Sequence, residues 1–424
     1  MMAKLLTILA IIALSYTYIS EVCAQGVEDP FSYNRDLKSD EIYDSNRYMT
    51  GDWGGFRSKL YEMGIRPTAI YYLSVLGNPV GGETKGVQYA GLLNAYLDFD
   101  LEKLIGIKRT KFIVSGSWAS GRSLSEENIG NFFTVSQVFS GRSVRLYQMF
   151  LETELIEDAI RVAVGRMGVG DEFSTSEIFY NYVNTAINGH PISLPINDEG
   201  FFSDPQTSWA ARAELKYKDT IYLKAGVYNS NPKVGRDKAY GVDFSFRKGV
   251  ILIAEIGYLH NQFKTSDGGD GKYSFGGFYD TREFEDLSDD TKKQDGNYSF
   301  YWILEQMVYR ESNTDDQGLS PWTSITISPD EDINTFPFFI NGGLLYKGLI
   351  DGRDHDKAAF GFAYGKISDQ LKDKDYELML ELTYLIKFKE WLEVQPDVQW
   401  VVHPGGSSEI PNALVIGVQM VLDI

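Results

Sequence analysis

Apolar and polar side chains alternate with a period of two through most of this chain. In 91–101, Leu93, Ala95, Leu97, Phe99 and Leu101 share one face, and Asn94, Tyr96, Asp98 and Asp100 share the other. Segment 376–387 sets Leu378, Leu380, Leu382, Tyr384 and Ile386 against Glu377, Glu381, Thr383 and Lys387. Segment 393–402 sets Val394, Val398, Trp400 and Val402 against Glu393, Gln395, Asp397 and Gln399, and Leu414, Ile416, Val418, Met420, Leu422 and Ile424 repeat the pattern at the end of the chain. Side chains of a strand point alternately to its two sides, so each segment predicts a strand with one face in an apolar medium and the other in water.

The same rhythm predicts strands at 67–76, 110–119, 143–155, 159–167, 207–217, 220–228, 240–247, 250–259, 271–280, 297–309, 319–328, 336–347 and 357–366. Glu157-Asp158, Lys218-Asp219, Lys248-Gly249 and Lys389-Glu390 read as tight hairpins, whereas 120–142, 168–206 and 281–296 read as long polar loops. Short turns on one rim and long loops on the other are the habit of outer-membrane barrels. Both ends of the chain on one side of a membrane require an even number of strands. The predicted total is odd, and region 229–300 is where loop and strand are hardest to separate. Only 52–63 shows helical spacing, with Asp52 as a cap, Trp53, Phe56, Leu60 and Met63 on one face, and Gly64 as a stop. That helix has two readings. It packs on the periplasmic mouth or wall and buries Trp53 and Phe56, or it lies on the lipid surface.

A soluble β-sandwich would alternate as well. Two features favour lipid outside. Strands repeatedly end in aromatics (Trp118, Tyr217, Tyr228, Tyr279, Tyr346, Tyr364, Tyr384, Trp400), as interfacial girdles require, and the last strand carries its apolar face to Ile424. No stretch beyond residue 24 supplies the roughly 18 consecutive apolar residues of a spanning helix, but a barrel crosses with strands of about ten alternating residues.

Charge and cysteine content narrow the possibilities. With 40 Lys+Arg against 59 Asp+Glu, the net charge of −19 argues against nucleic acid as a partner, since phosphates would be repelled. One cysteine allows neither a disulfide framework nor a Cys-rich zinc site, and four scattered histidines build no metal site, so no metal and no cofactor is expected. Residues 1–24 read as a cleaved signal peptide: Lys4, the apolar run Leu5–Leu14, and Val22-Cys23-Ala24 before the cut. Residues 25–65 then form an N-terminal periplasmic segment containing the helix, and 66–424 form the barrel.

Several segments, in order, resemble the carbohydrate-selective porin family (the OprB-like porins). Gly51-Asp52-Trp53-Gly54-Gly55-Phe56-Arg57 is similar to the family's opening signature. Asn131-Phe132-Phe133-Thr134-Val135, Val144-Arg145-Leu146-Tyr147-Gln148 and Gly165-Arg166-Met167 follow, then Asn184 to Pro191 and Trp209. Late matches include Gly276-Gly277-Phe278-Tyr279-Asp280, Glu381-Leu382-Thr383-Tyr384, Gln395-Pro396-Asp397 and His403-Pro404-Gly405-Gly406. The resemblance implies an all-β fold, a transmembrane antiparallel β-barrel of about 16 strands with a water-filled lumen. It also implies passive diffusion of mono- or oligosaccharides across the bacterial outer membrane, and no enzyme. Sugars are then the transported solutes and lipopolysaccharide the surrounding lipid. Monomer and homotrimer both stay open.

A neutral sugar carries hydroxyls that donate and accept, so a matched lining mixes carboxylates, amides and guanidinium groups. The loop 168–206 is the candidate constriction, with Asp171, Glu172, Tyr180, Asn181, Tyr182, Asn184, Asn188 and His190. Arg145, Gln148, Glu152, Arg166, Trp209 and Arg212 are expected beside it as pore-lining residues. Strand parity puts Arg145 opposite Gln148 and Glu152, so either a bulge intervenes or Arg145 is a rim charge. Three rivals remain. A general or cation-preferring channel is one, a glycosidase would need a carboxylate pair that no motif singles out, and a soluble sugar-binding protein would fractionate with the periplasm.

Overall fold

The computed structural model describes residues 44–424 except 158, 219, 236–239, 244, 246–248, 261–268, 290 and 312–315. The predicted signal peptide and residues 25–43 lie outside the described residues. Sixteen long strands run in chain order: β1 (Ile65–Val80), β2 (Val87–Asp100), β3 (Thr110–Gly121), β4 (Val144–Ile156), β5 (Ile160–Met167), β6 (Ser208–Tyr217), β7 (Ile221–Asn229), β8 (Val250–His260), β9 (Gly271–Glu285), β10 (Lys293–Gln306), β11 (Gly318–Ile327), β12 (Phe338–Lys347), β13 (Lys357–Lys366), β14 (Tyr376–Lys389), β15 (Leu392–Val402) and β16 (Ala413–Asp423). The two-residue strand Tyr309–Arg310 pairs only with the start of β11 and adds no stave. Each strand pairs antiparallel with its neighbours, and β1 pairs with both β2 and β16, so the sheet closes into a barrel. Closure leaves no edge strand, the condition for a sheet to stand in hydrocarbon.

The two faces separate as the alternation predicts. Leu97, Val164, Leu223, Leu252, Phe275, Leu344, Phe360, Leu382, Val398 and Ile416 are exposed on the outside. Their strand neighbours Asp98, Ala163, Ile253, Glu381, Asp397 and Val415 are buried toward the interior. Tyr228 is an exception to the predicted girdle: it shares the inward parity of β7 with Tyr222 and packs edge-on against Phe173 of the loop after β5.

Two predicted elements are corrected. The strand expected at 240–247 is absent among its described residues: Tyr240 and Gly241 both take positive φ and turn the chain. Tyr240 O there accepts the Leu146 amide, so the segment borders β4 without becoming a stave. The loop expected at 281–296 is mostly hairpin, because β9 runs to Glu285 and β10 starts at Lys293, with Lys293 opposite Glu285. Glu283 and Glu285 are exposed, and Phe284 is the one apolar side chain among 281–285. Period-two contrast fades where both faces meet water.

The N-terminal helix α1 (Phe56–Met63) follows a 3-10 turn at Trp53–Gly55 in which Gly54 and Gly55 have φ of 69° and 91°. Asp52 Oδ1 accepts the Ser58 amide at 2.8 Å and so caps the first turn from outside the helix. The reading that Trp53 and Phe56 are buried against the barrel does not hold. Phe56 is 57% exposed and Trp53 is also exposed, whereas Arg57 is 1% exposed. Arg57 donates to Pro67 O at 2.9 Å and Ile424 O at 3.0 Å and stacks on Tyr48. The Arg57 guanidinium satisfies carbonyls at the seam, Tyr61 bonds to Tyr48 at 2.7 Å, and Trp53 and Phe56 are left outward.

Candidate functional site: the barrel lumen and its inward loops

Two long-rim loops fold into the lumen. A loop inside a barrel carries backbone amides that water no longer serves, so the wall must supply acceptors. Inward carboxylates do this. Glu381 on β14 accepts the Val183 and Asn184 amides at 2.6 and 3.2 Å. Glu377 accepts Phe132, Phe133 and Gly405 amides at 2.9, 2.6 and 2.7 Å. Glu255 on β8 accepts the Ser174 amide at 3.0 Å together with the hydroxyls of Tyr222 and Tyr301.

The wall is also stripped of side chain where the loop presses against it. A Cβ on Gly343 would sit 2.6 Å from Tyr182 Oη, and one on Gly361 would sit 2.6 Å from Ile187 and 2.7 Å from the Tyr182 ring. Tyr182 fills that space and accepts a hydrogen bond from Trp322 Nε1 at 2.8 Å. The middle of the 168–207 loop thus lies on β10–β14 through Phe179, Tyr182, Ala186 and Ile187.

The opposite arc is built differently. Across adjacent strands the register aligns Asp100, Lys111, Glu152, Ala163 and Arg212 in one row. A second row aligns Glu154, Arg161, Glu214, Lys224 and Glu255. In each row carboxylates and cations alternate. The small Ala163 between Glu152 and Arg212 lets Arg212 Nη2 reach over β5 to Glu152 Oε2, a charge-assisted hydrogen bond. Arg212 also faces Glu172 of the loop at 3.5 Å and Glu214 at 3.8 Å, and Arg161 lies 4.0 Å from Glu214.

The sequence-predicted residues fall into four groups. Arg212 and Glu152 meet in the first charged row, and Glu172 of the loop faces Arg212. Arg145 and Gln148 both face inward because a bulge places Tyr147 and Gln148 opposite Ser115 alone, with the Gln148 amide donating to Ser115 Oγ at 3.1 Å. Arg145 Nη1 donates to Gly235 O at 3.1 Å, and Asp171 accepts from Tyr147 Oη at 2.7 Å and from the Asp204 amide at 2.9 Å. Asn181, Asn184 and Asn188 hold the loop together and to the wall, by Lys357 to Asn181 at 2.8 Å, Asn184 to Gln399 at 2.8 Å and Asn188 to Tyr182 O at 2.6 Å. Arg166 stands opposite Trp209 in the register, on the parity that faces away from the lumen, and donates to Asp243 O and Thr207 O, so it fastens neighbouring loops and does not line the passage as expected.

Trp209 is a correction. It sits with Ala211 and Ala213 on the face of β6 opposite Arg212, so it points away from the lumen.

Lys111, Arg161, Glu214, Lys224 and the anchoring Glu255, Glu377 and Glu381 were missed as site residues. Their signal was present as charge on the polar parity of strands, Glu214 two residues from Arg212. Within the loop, burial lowers the His190 ring to about 4 against an opposing hydrogen bond with Pro191 O, and its Nε2 lies 2.7 Å from Ser203 Oγ. Burial, then the neighbouring Asp171, raises Asp204 to about 7 against donation from Asn94.

A closed antiparallel barrel of this size, with an apolar exterior and loops folded into a polar lumen, is a bacterial outer-membrane porin. Residues 84–423 match the family described as carbohydrate-selective porin, OprB family. The chain belongs to that family. It is 27% identical over 421 residues to Porin B of Pseudomonas aeruginosa, covering 89% of this chain and 91% of that protein. The high-pH structure of Pseudomonas putida OprB superposes with a TM-score of 0.82 at 27% identity, covering 91% of this chain and all of that one. The low-pH structure of the same protein gives 0.62 at 22% identity.

Proposed function

We propose that mono- and small oligosaccharides cross beside the 168–207 loop, along the two charge-alternating rows of β2–β8, with the long-loop rim toward the cell exterior. The observation that carries this is the register of those rows. Fixed cations and carboxylates one strand apart give a lining that donates and accepts hydrogen bonds while nearly cancelling its own field. A sugar finds partners for its hydroxyls at the partly exposed Glu154, Arg161 and Lys224, behind which the buried first row balances its own charge. An ion finds little net attraction to offset its lost water. Passage needs no energy source, and weak contacts suit it because a tightly held solute blocks its own route. Each barrel carries a whole passage, so the pathway is the same in a monomer and in a homotrimer.

The net charge of −19 favours a second reading, a cation-preferring general channel. Liposome swelling separates the two. Vesicles containing the protein swell in glucose faster than empty vesicles and faster than in charged solutes of equal size. Equal swelling in all solutes, with a cation-selective reversal potential, would overturn the sugar reading.

A further inference from the structure

One outward cleft is not part of the pathway. At the long-loop end of β2–β4, about 770 Å³ of surface space is lined by Tyr89, Trp118, Val144, Tyr240, Arg122 and Arg142, among others. Trp118 pairs with Val144 across β3 and β4, and Trp118 is 53% exposed on the outer face. The cleft therefore continues the lipid-facing band at the level where its apolar residues give way to loops.

Two guanidinium groups at this place have no carboxylate within hydrogen-bond reach among the described residues. Elsewhere Arg212 meets three carboxylates, Arg282 meets Asp198 and Asp280, and Arg353 meets Asp356. Here the nearest carboxylate to Arg122 among the described residues is Glu127 at 4.0 Å, with both side chains about half exposed. Arg142 donates from Nε to Gly121 O at 2.6 Å, which fixes the side chain and leaves its two terminal nitrogens without a hydrogen bond among the described residues. The Arg122 amide donates to Tyr89 O at 2.9 Å. Gly121, with φ of 103°, permits this approach, because a Cβ there would sit 2.1 Å from Tyr89 O. Backbone and side chains together hold two cations beside aromatic faces at a membrane boundary.

We propose that this cleft binds the headgroup of a phosphorylated, saccharide-headed lipid of the outer leaflet. Arg122 and Arg142 take the phosphate, and Tyr89, Trp118 and Tyr240 take the sugar face and the start of the acyl region. Guanidinium groups match phosphate oxygens in pairs, and interfacial aromatics sit where headgroup meets chain. Placement in the outer leaflet rests on the orientation given under Proposed function.

Full-length protein in detergent is titrated with diphosphoryl lipid A, with the same lipid after dephosphorylation, and with inorganic phosphate, and bound copies are read by native mass spectrometry. Diphosphoryl lipid A should bind the unaltered protein about tenfold tighter than the Arg122→Gln/Arg142→Gln variant. The Arg122→Lys/Arg142→Lys variant should recover part of that difference, and dephosphorylated lipid should bind all three alike. Heat-modifiable gel migration and unchanged glucose swelling show that each variant is folded and conducting. Equal lipid A affinity with and without the two arginines overturns the proposal, as does inorganic phosphate occupying the cleft as tightly as the lipid. In whole cells, Lys292→Cys should react with a membrane-impermeant maleimide. Failure there overturns the outer-leaflet assignment without touching the swelling result on which the sugar reading stands.

Discussion

The two arcs of the barrel use the same residue type for opposite ends. On β14, Glu377 and Glu381 point inward and accept backbone amides from loops, so their charge is consumed in holding chain. On β4 and β6, Glu152 and Glu214 point inward and face Arg212, so their charge is balanced by side chains of the wall itself. Glu255 stands at the boundary and does both, aligned with Lys224 in the register and bonded to the Ser174 amide. Inward carboxylates are thus not one class. Whether one anchors a loop or lines a passage depends on whether its donor is a peptide group or a cation.

Removing the cation of the lining arc should have the largest effect. Arg212→Ala leaves Glu152, Glu172 and Glu214 facing one another, and breaking a buried ion pair from one side costs about 3–5 kcal/mol. The expected result is a lower thermal midpoint together with a reversal potential shifted toward cations. An unchanged ion preference would show that the rows do not border the passage.

Next comes the anchoring arc. Glu381→Ala strips the acceptor from two buried loop amides, a loss of about 3 kcal/mol. Ion preference should stay constant, and disaccharide swelling should rise relative to glucose as the loop loosens. Were Glu381→Ala to alter charge selectivity as strongly as Arg212→Ala, the division between the arcs would fail.

A steric test is milder. Gly361→Val pushes a branched side chain into the space of Tyr182 and Ile187, and overpacking of this kind costs about 2 kcal/mol. The Tyr182 contact with Trp322 should weaken, read as a change in near-ultraviolet dichroism, and swelling by disaccharides should change while ion preference does not.

Much of this was legible in the sequence. The strand faces at 91–100, 376–387 and 393–402 came out residue by residue, because hydrocarbon outside and water inside impose a sharp contrast at every second position; Leu101 did not, since Asp100 caps a short helix at Leu101–Ile105 there. The contrast disappears beyond the hydrocarbon, which is why the hairpin ends near Glu283 were read as loop. It is also imitated by chance at 240–247, where a turn at Tyr240 and Gly241 carries strand-like composition. Arg145 shows how one bulge reverses a parity argument. Trp209 shows the opposite error, a resemblance trusted over a parity that already put it across from Arg212. The charged rows were beyond reach for another reason. They depend on which residue of β5 stands between β4 and β6, and register between strands is set by closure of the whole sheet.

In the unaltered protein the smallest net effect comes from two loop groups of opposite sign, whose contributions offset each other. Asp204 rises from 3.8 to about 7 in the folded loop, mainly by burial and then by Asp171. A carboxyl raised in this way contributes stability that is complete below its unfolded value and is lost as pH climbs through 7. His190 falls from 6.5 to about 4 by burial, so its contribution is complete above 6.5 and is lost as pH drops through 4. Between those limits the two slopes oppose each other, and the thermal midpoint of the unaltered protein should vary little with pH on their account. Asp204→Asn removes one slope, so its midpoint should fall as pH is lowered from 6.5 toward 4. His190→Gln removes the other, so its midpoint should fall as pH is raised from 4 toward 7. Both residues hold the end of the loop where it returns to β6, beside the Tyr147–Asp171 contact, so the variants also test whether that return is fastened independently of the Glu381 anchor. A midpoint for Asp204→Asn that stays as level as the unaltered protein's would mean that His190 is not held neutral by its burial in the loop.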